Sequence, residues 1–190
     1  DPLAWDRMSG PMRMLLVVNN CMLGRVVLGP ALSIVRFVIG DARLIAQVRR
    51  DVIGAWALQL LGAAVVVWWL AQTGASPLGY ALACYAGLSL INIRSFLEHR
   101  AEDRVRGRSA IVEDGGILSL LFLHNNLHAV HHAHPETSWS LLPSLYRAHR
   151  DRFLSMNGGY YFRSYLDVFR AHMVKPKEPP SHPNMRSLGR

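Results

Sequence analysis

Charged residues are absent from positions 54–93, a run of 40 residues in a chain of 190. Soluble domains of this length carry charges throughout, so the gap argues against a water-soluble fold. A helix crosses the hydrocarbon core of a bilayer with about 20 apolar residues, which is half of this run. The sequence therefore predicts a transmembrane hairpin with spans at 54–71 and 78–93 and a turn that ends at Pro77.

Cysteine and lysine are also scarce. Cys21 and Cys84 are the two cysteines and lie far apart, so neither a disulfide framework nor a thiolate metal site is indicated. Of the 21 basic residues only Lys175 and Lys177 are lysines. The arginines flank the uncharged run and do not form one basic face with interleaved aromatic residues. The net charge of +8 therefore favours contact with anionic lipid headgroups over nucleic acid.

Arginines on both sides of the hairpin predict its orientation. Arg49 and Arg50 precede the first span, Arg94 and Arg100 follow the second, and the turn between the spans carries no basic residue. Short basic flanks stay on the cytoplasmic side of a membrane. Both ends of the hairpin are therefore expected in the cytoplasm.

The segments outside the hairpin predict an all-α integral membrane domain over 1–174. Residues 12–40 are apolar but interrupted by polar and basic side chains, which favours a pair of interfacial or re-entrant helices broken near Pro30. Residues 160–174 have the pattern of an amphipathic helix. The proline-rich segment 175–190 predicts a disordered tail.

No histidine precedes His99, and four of the nine histidines fall in one short segment. If a helix that begins at Ile117 continues through that segment, successive side chains turn by about 100°, and the four imidazoles lie within one arc of about 100°. Clustered neutral imidazoles without thiolates suit iron, zinc, copper or nickel. The sequence thus predicts a metal site at the membrane edge from His124, His128, His131 and His132.

His99 is a further candidate ligand. It follows Glu98 where the second span reaches the cytoplasm, on the side where the histidine cluster is also expected. A carboxylate next to an imidazole is a candidate acceptor that fixes its tautomer. The remaining histidines are interpreted as surface residues: His134, His149, His172 and His182.

The segment His128-Ala-Val-His131-His132 resembles the last of the three histidine boxes, H-x-x-H-H, of the membrane-bound fatty acid desaturases. The resemblance runs over about residues 1–152, so it covers most of the chain. Further positions are similar to the same family: Glu98, His99, Arg100, Asn125, Asn126, Pro135, Trp139, Leu142 and Pro143.

The resemblance implies an oxygen-dependent enzyme of the bacterial inner membrane, with two non-haem iron ions on the cytoplasmic side. The reaction it implies introduces a double bond into an acyl chain carried by a lipid, by coenzyme A or by acyl carrier protein. A ferredoxin or a cytochrome would supply the electrons, and no catalytic residue beyond the ligands is implied. The matching ligand positions are His99, His128, His131 and His132, with His124 as a further candidate and Glu98, Asn125 and Asn126 around them.

The first and second boxes of that family, H-x-x-x-H and H-x-x-H-H, have no counterpart ahead of His99. The chain is therefore expected to be the C-terminal part of a longer enzyme, to hold only part of the iron ligands and to be inactive by itself. Two other interpretations stay open. One is a related histidine-box oxygenase, either a carotenoid ketolase or hydroxylase or an alkane hydroxylase. The other is an inactive membrane remnant with a partial metal site.

Overall fold

The computed structural model describes residues 2–179, which form eleven α-helices, two 3-10 helices and two strands. The helices up to the end of the hairpin are α1 (Pro2–Arg7), α2 (Gly10–Asn19), α3 (Met22–Val27), α4 (Gly29–Ala46), α5 (Arg50–Thr73) and α6 (Pro77–Glu98). The later elements are a 3-10 helix (Val105–Gly107), β1 (Ile111–Asp114), α7 (Gly116–Leu121), a second 3-10 helix (Asn125–Leu127), α8 (His128–Ala133), α9 (Leu142–Ala148), α10 (Arg150–Met156), β2 (Tyr161–Ser164) and α11 (Tyr165–His172).

These residues divide into two compact units. The hairpin unit consists of residues 28–89. The histidine unit combines residues 2–27 with the chain from Leu90 onward. All of the histidines in the described part of the chain lie in the histidine unit.

Helices α5 and α6 are long and apolar enough to cross a membrane, judged by length and composition. They have 24 and 22 residues, and they contain the predicted spans 54–71 and 78–93. Helix α5 ends at Thr73 and is followed by Gly74, which has a φ of 65°. Glycine adopts this left-handed conformation without steric cost, so the chain turns where the sequence predicts a turn.

Helix α4 contacts α5 within the hairpin unit. Trp56 Nε1 donates to Asp41 Oδ2 at 2.8 Å, and the rings of Phe37 and Trp56 stack with their centroids 5.9 Å apart. Pro30 lies in the first turn of α4, where a missing N–H costs no hydrogen bond. The chain therefore breaks close to the predicted position, but residues 12–40 contribute to three helices instead of two.

Strands β1 and β2 form a parallel pair in the histidine unit, with Ile111 opposite Tyr161 and Val112 opposite Phe162. The described residues are mostly helical, as the sequence predicts, and this short two-stranded sheet is an addition that the all-α prediction did not include. The predicted helix over 160–174 is wrong at its start, because α11 begins only at Tyr165. Aromatic residues at the start of that segment favour an extended backbone, which short helical periodicity does not reveal.

Two apolar clusters pack in the histidine unit, and β1 contributes to both. Val112 belongs to a cluster with Phe96 at the end of α6 and Val168 of α11. Ile111 belongs to a cluster with Val130 of α8 and other side chains of α9 and α10. Neighbouring strand residues point to opposite faces, so β1 connects the end of α6 with α8.

Residues 173–179 return to the end of α6. Lys177 Nζ donates to Phe96 O at 2.7 Å and to His99 O at 2.5 Å, and Lys177 N–H donates to Asn20 O at 2.9 Å. Burial lowers the pKa of the Lys177 ammonium, and the Glu178 carboxylate lies 3.7 Å from it. Of the tail predicted over 175–190, residues 180–190 lie outside the described residues.

Candidate metal centre

Three imidazoles converge in the histidine unit. His99 follows the last residue of α6, and His128 and His132 lie one turn apart on α8. The distance from His128 Nε2 is 3.2 Å to His99 Nε2 and 3.1 Å to His132 Nε2. One nitrogen of each ring lies within 4.8 Å of the other two, which is the spacing of atoms that share one metal ion. His128 is buried, and the other two rings are exposed.

The predicted single helix from Ile117 through the histidines is wrong. Helix α7 ends at Leu121, and Leu123 and His124 have φ values of 50° and 53°. Two successive residues in the left-handed region end a helix, and few side chains other than glycine adopt it readily. Helix α8 then starts anew at His128, so the four imidazoles do not share one helical face.

His124 lies outside the group of three imidazoles because of this break. Its Nδ1 lies 2.7 Å from Ser119 Oγ, and its ring stacks on Trp139 with a centroid distance of 5.6 Å. Both contacts fix the ring away from the group formed by His99, His128 and His132. The sequence suggested the opposite because it gives no sign of the left-handed residues.

His131 lies beside the converging rings but is not one of them. Its centroid is 5.8 Å from that of His132 and 6.1 Å from that of His128. It lines a separate cavity of about 240 Å³, together with Arg94 and Trp139. The structure thus brings together three of the five predicted ligands and places His131 next to them.

A chain of hydrogen bonds supports His128. The Glu98 carboxylate atom Oε1 accepts from Arg94 Nε and from Asn125 Nδ2, each at 2.6 Å. Asn125 Oδ1 lies 3.2 Å from His128 Nδ1. Because the amide nitrogen of Asn125 already donates to Glu98, its oxygen must accept from His128, and Nδ1 therefore carries the proton. The lone pair of His128 is then on Nε2, which faces the other two imidazoles.

These hydrogen bonds support a different histidine from the one that the sequence predicts. The sequence predicts that Glu98 fixes the tautomer of its neighbour His99. In the structure, Glu98 accepts a hydrogen bond from Asn125, and Asn125 in turn contacts His128. Sequence reasoning also missed Arg94, although its spacing of four residues from Glu98 is typical of a helical ion pair. No local signal marks Lys177 as a contact of the His99 carbonyl.

Asn126 stabilises the backbone around the candidate metal site through buried hydrogen bonds. It is 5% exposed, its Nδ2 donates to Val112 O at 2.6 Å, and its Oδ1 accepts from Ser119 Oγ at 2.7 Å. These contacts connect β1 and α7 to the segment that leads into α8. The amide thus fixes the backbone just before His128.

The electrostatics of the three imidazoles suit a cation. Burial lowers the pKa of His128 to about 3, with further lowering by the neighbouring histidines. Burial also lowers the pKa of His132, with further lowering by His99 and His131. His128 Nε2 has one lone pair and can accept one strong hydrogen bond, yet two other nitrogens lie within 3.2 Å of it. A metal ion among the three nitrogens removes this conflict, so the donor set fits a metal that prefers imidazole.

Replacing Asn125 with leucine is expected to weaken metal binding at this site about 10- to 100-fold, because the tautomer of His128 is no longer fixed. Titration of the full-length protein with cobalt(II), followed by its visible absorption, measures the affinity. Thermal unfolding of the metal-free variant serves as the control for folding. An unchanged cobalt affinity would show that Asn125 does not orient the ligand.

A mostly helical chain in which three imidazoles converge, with a carboxylate and an amide behind one of them, defines a candidate histidine-ligated metalloprotein. The family model for fatty acid desaturases matches residues 2–165. The chain therefore belongs to the fatty acid desaturase family, which confirms the family that the sequence resembles. No curated protein and no solved structure matches it. Membership in this family indicates an oxidoreductase with a lipid substrate.

Proposed function

We propose that this chain carries part of the di-iron centre of a membrane-bound, oxygen-dependent fatty acid desaturase. The observation that supports this most directly is the convergence of His99, His128 and His132 in a member of the desaturase family. When bound, the iron ions would activate oxygen to remove two hydrogens from an unactivated position of an acyl chain. No side chain performs this oxidation unaided.

The ligands divide between two ions in this proposal. His99, His128 and His132 would hold the first ion through the Nε2 atoms, which lie close together. His131 lies next to His132 and faces a different cavity, which suits a ligand of the second ion. The remaining ligands of that ion would be histidines of the family's other two histidine boxes, which have no counterpart among residues 1–98.

The side chains around the ligands fix their geometry and charge. Arg94 and Glu98 orient Asn125, which holds the proton of His128 on Nδ1. Lys177 binds the carbonyl of His99 and thereby holds the backbone of that ligand. The lowered pKa of His128 keeps the ring neutral near pH 7, the form that binds metal.

Helices α5 and α6 would form a transmembrane hairpin with both ends in the cytoplasm. Large apolar side chains of α5, such as Leu58 and Trp68, are 73% and 63% exposed. An apolar surface of this extent is stable when lipid covers it. The acyl substrate, carried by a lipid, by coenzyme A or by acyl carrier protein, would reach the irons from this membrane.

The substitution His131→Ala tests the two-ion assignment in the full-length protein. We expect the variant to keep one iron, to lose the other and to form no unsaturated product, while it still inserts into the membrane. Iron is measured by elemental analysis, and products by gas chromatography of host lipids. His149→Ala, a change at an exposed histidine outside the cluster, is the control. Retained product formation by His131→Ala would contradict the proposal.

A further inference from the structure

A cavity of about 270 Å³ lies in the histidine unit, and none of the candidate metal ligands lines it. Trp5, Asn19 and Arg25 contribute to its wall from α1, α2 and α3. Glu178 and Pro179 contribute from the C-terminal segment. The cavity thus joins the two ends of the described chain, and we call it the Arg25 cavity.

Close packing of α3 against the end of α2 fixes the position of Arg25. A Cβ at Gly24 would lie 1.8 Å from Val18 O, so only glycine allows this approach. Cys21 Sγ donates to the same carbonyl at 3.0 Å and accepts from Gly24 N–H at 3.4 Å. The backbone at Arg25 is therefore held firmly at the cavity.

Arg25 has no acidic partner within residues 2–179. No carboxylate in that range lies within the 4.0 Å of an ion pair from its guanidinium, and its Nε is buried without a hydrogen-bond partner. Burial lowers the pKa of Arg25, and no nearby acid offsets this lowering. A partly buried cation without a partner is costly, so the cavity is suited to an anion.

The charges around the cavity indicate an occupant with one negative charge. The Glu178 carboxylate lies 3.7 Å from Lys177 Nζ and accepts from Ala101 N–H at 3.2 Å. Glu178 and Lys177 therefore offset each other. The charge of Arg25 stays uncompensated among the described residues, and a phosphodiester group carries one negative charge.

The helices beside the cavity indicate that this occupant also has apolar chains. Residues 12–40 have the sequence pattern of interfacial or re-entrant helices. In the structure, α2 and α3 expose several large apolar side chains, which are Met12, Met14, Val18, Leu23 and Val27. A phospholipid offers both a phosphodiester for the guanidinium and acyl chains for these residues, whereas inorganic phosphate offers only the charge.

The C-terminal segment connects the Arg25 cavity with His99. Lys177 N–H donates to Asn20 O at 2.9 Å, and Asn20 Nδ2 donates to Glu178 O. Lys177 Nζ donates to the backbone oxygen of His99 at 2.5 Å. An occupant of the cavity contacts Glu178 and Pro179, so it restrains the segment that holds His99.

We propose that the Arg25 cavity binds the phosphodiester group of an anionic membrane phospholipid, and that this lipid stabilises the C-terminal segment. The inference goes beyond the proposed desaturase function and does not need it, because the cavity contains no candidate ligand. Its tests therefore use neither iron nor an acyl substrate.

Native mass spectrometry of the full-length protein in detergent tests the site. The probes are dioleoyl phosphatidylglycerol, dioleoylglycerol, which has the same chains without phosphate, and inorganic phosphate. We expect the wild-type protein to bind phosphatidylglycerol at least about tenfold more tightly than either other probe. Arg25→Gln should lose this preference. Arg25→Lys keeps the charge and should keep most of the binding, and Arg147→Gln, the same change at an exposed arginine of α9, should bind like wild type.

Hydrogen exchange of residues 173–179 measures the effect on the C-terminal segment. Phosphatidylglycerol at about ten times its Kd should slow exchange of the Lys177 N–H about tenfold in the wild-type protein and not in Arg25→Gln. Thermal unfolding without lipid is the control for folding. Arg25→Gln should then be at least as stable as wild type, because it removes an unpaired, partly buried cation.

Three binding results would overturn the lipid site. They are equal phosphatidylglycerol affinity in wild type and Arg25→Gln, equal affinity for dioleoylglycerol, and inorganic phosphate bound as tightly as the lipid. Unchanged exchange of residues 173–179 with phosphatidylglycerol bound would overturn the effect on the segment.

Discussion

Substitution of His128 by alanine is expected to lower the affinity of the histidine site for a metal ion about a hundredfold or more. His128 Nε2 lies between the ring nitrogens of His99 and His132, at 3.2 and 3.1 Å. Without the central imidazole, the two remaining nitrogens offer only a two-coordinate site. Isothermal titration of the full-length protein with zinc, in the presence of a competing chelator, measures the loss.

Two controls make this result specific. His149→Ala removes an exposed imidazole that lies outside the cluster and should leave the zinc affinity unchanged. Circular dichroism of His128→Ala should report the wild-type helix content, because alanine favours the helical backbone that α8 already has. Wild-type zinc affinity in His128→Ala would remove this residue from the ligand set.

Substitution of Asn126 by alanine is expected to destabilise the histidine unit by about 3 kcal/mol, because it leaves buried polar groups without partners. The carbonyl of Val112 loses a donor, and the hydroxyl of Ser119 loses an acceptor. For a chain of this length, this corresponds to a fall in Tm of about 6–12 °C. Thermal unfolding of the metal-free protein in detergent measures the change.

The matched control is Ser138→Ala, which removes an exposed hydrogen bond to Ser140. Exposed polar substitutions change stability by less than about 0.5 kcal/mol, so the Tm of this control should stay near the wild-type value. Equal Tm values for Asn126→Ala and Ser138→Ala would show that the buried amide does not hold β1 and α7 together.

Residue type and local spacing were enough to predict several parts of the molecule. The uncharged run at 54–93 predicted two long apolar helices, because an absence of charge over that length leaves few other folds. His128 and His132 are four residues apart and lie on one side of α8, as helical periodicity requires. His99 could be added because it ends the second predicted span, so its position followed from the hairpin.

Two features could not be predicted from the sequence: the pairing of β1 with β2 and the left-handed backbone ahead of α8. Strands β1 and β2 have four residues each, which is too short for a recognisable alternation of apolar and polar residues. They are also far apart in the sequence, at 111–114 and 161–164, so no local pattern indicates their pairing. The left-handed backbone at Leu123 and His124 also has no signal in the sequence, since both residue types occur commonly in helices. For this reason the sequence predicts four histidines on one helical face, whereas the structure brings together only His128, His132 and His99 among the described residues.

The parallel pairing of β1 with β2 also sets the order of events during biosynthesis. The candidate ligands are all translated by His132, but the strand that holds β1 in place ends at Ser164, and Lys177 comes later still. At about 5–20 residues per second, several seconds separate the emergence of α6 from the ribosome and the emergence of β2. Metal binding should therefore follow the pairing of the two strands, and a nascent chain stalled before Tyr161 should carry His99, His128 and His132 without retaining metal.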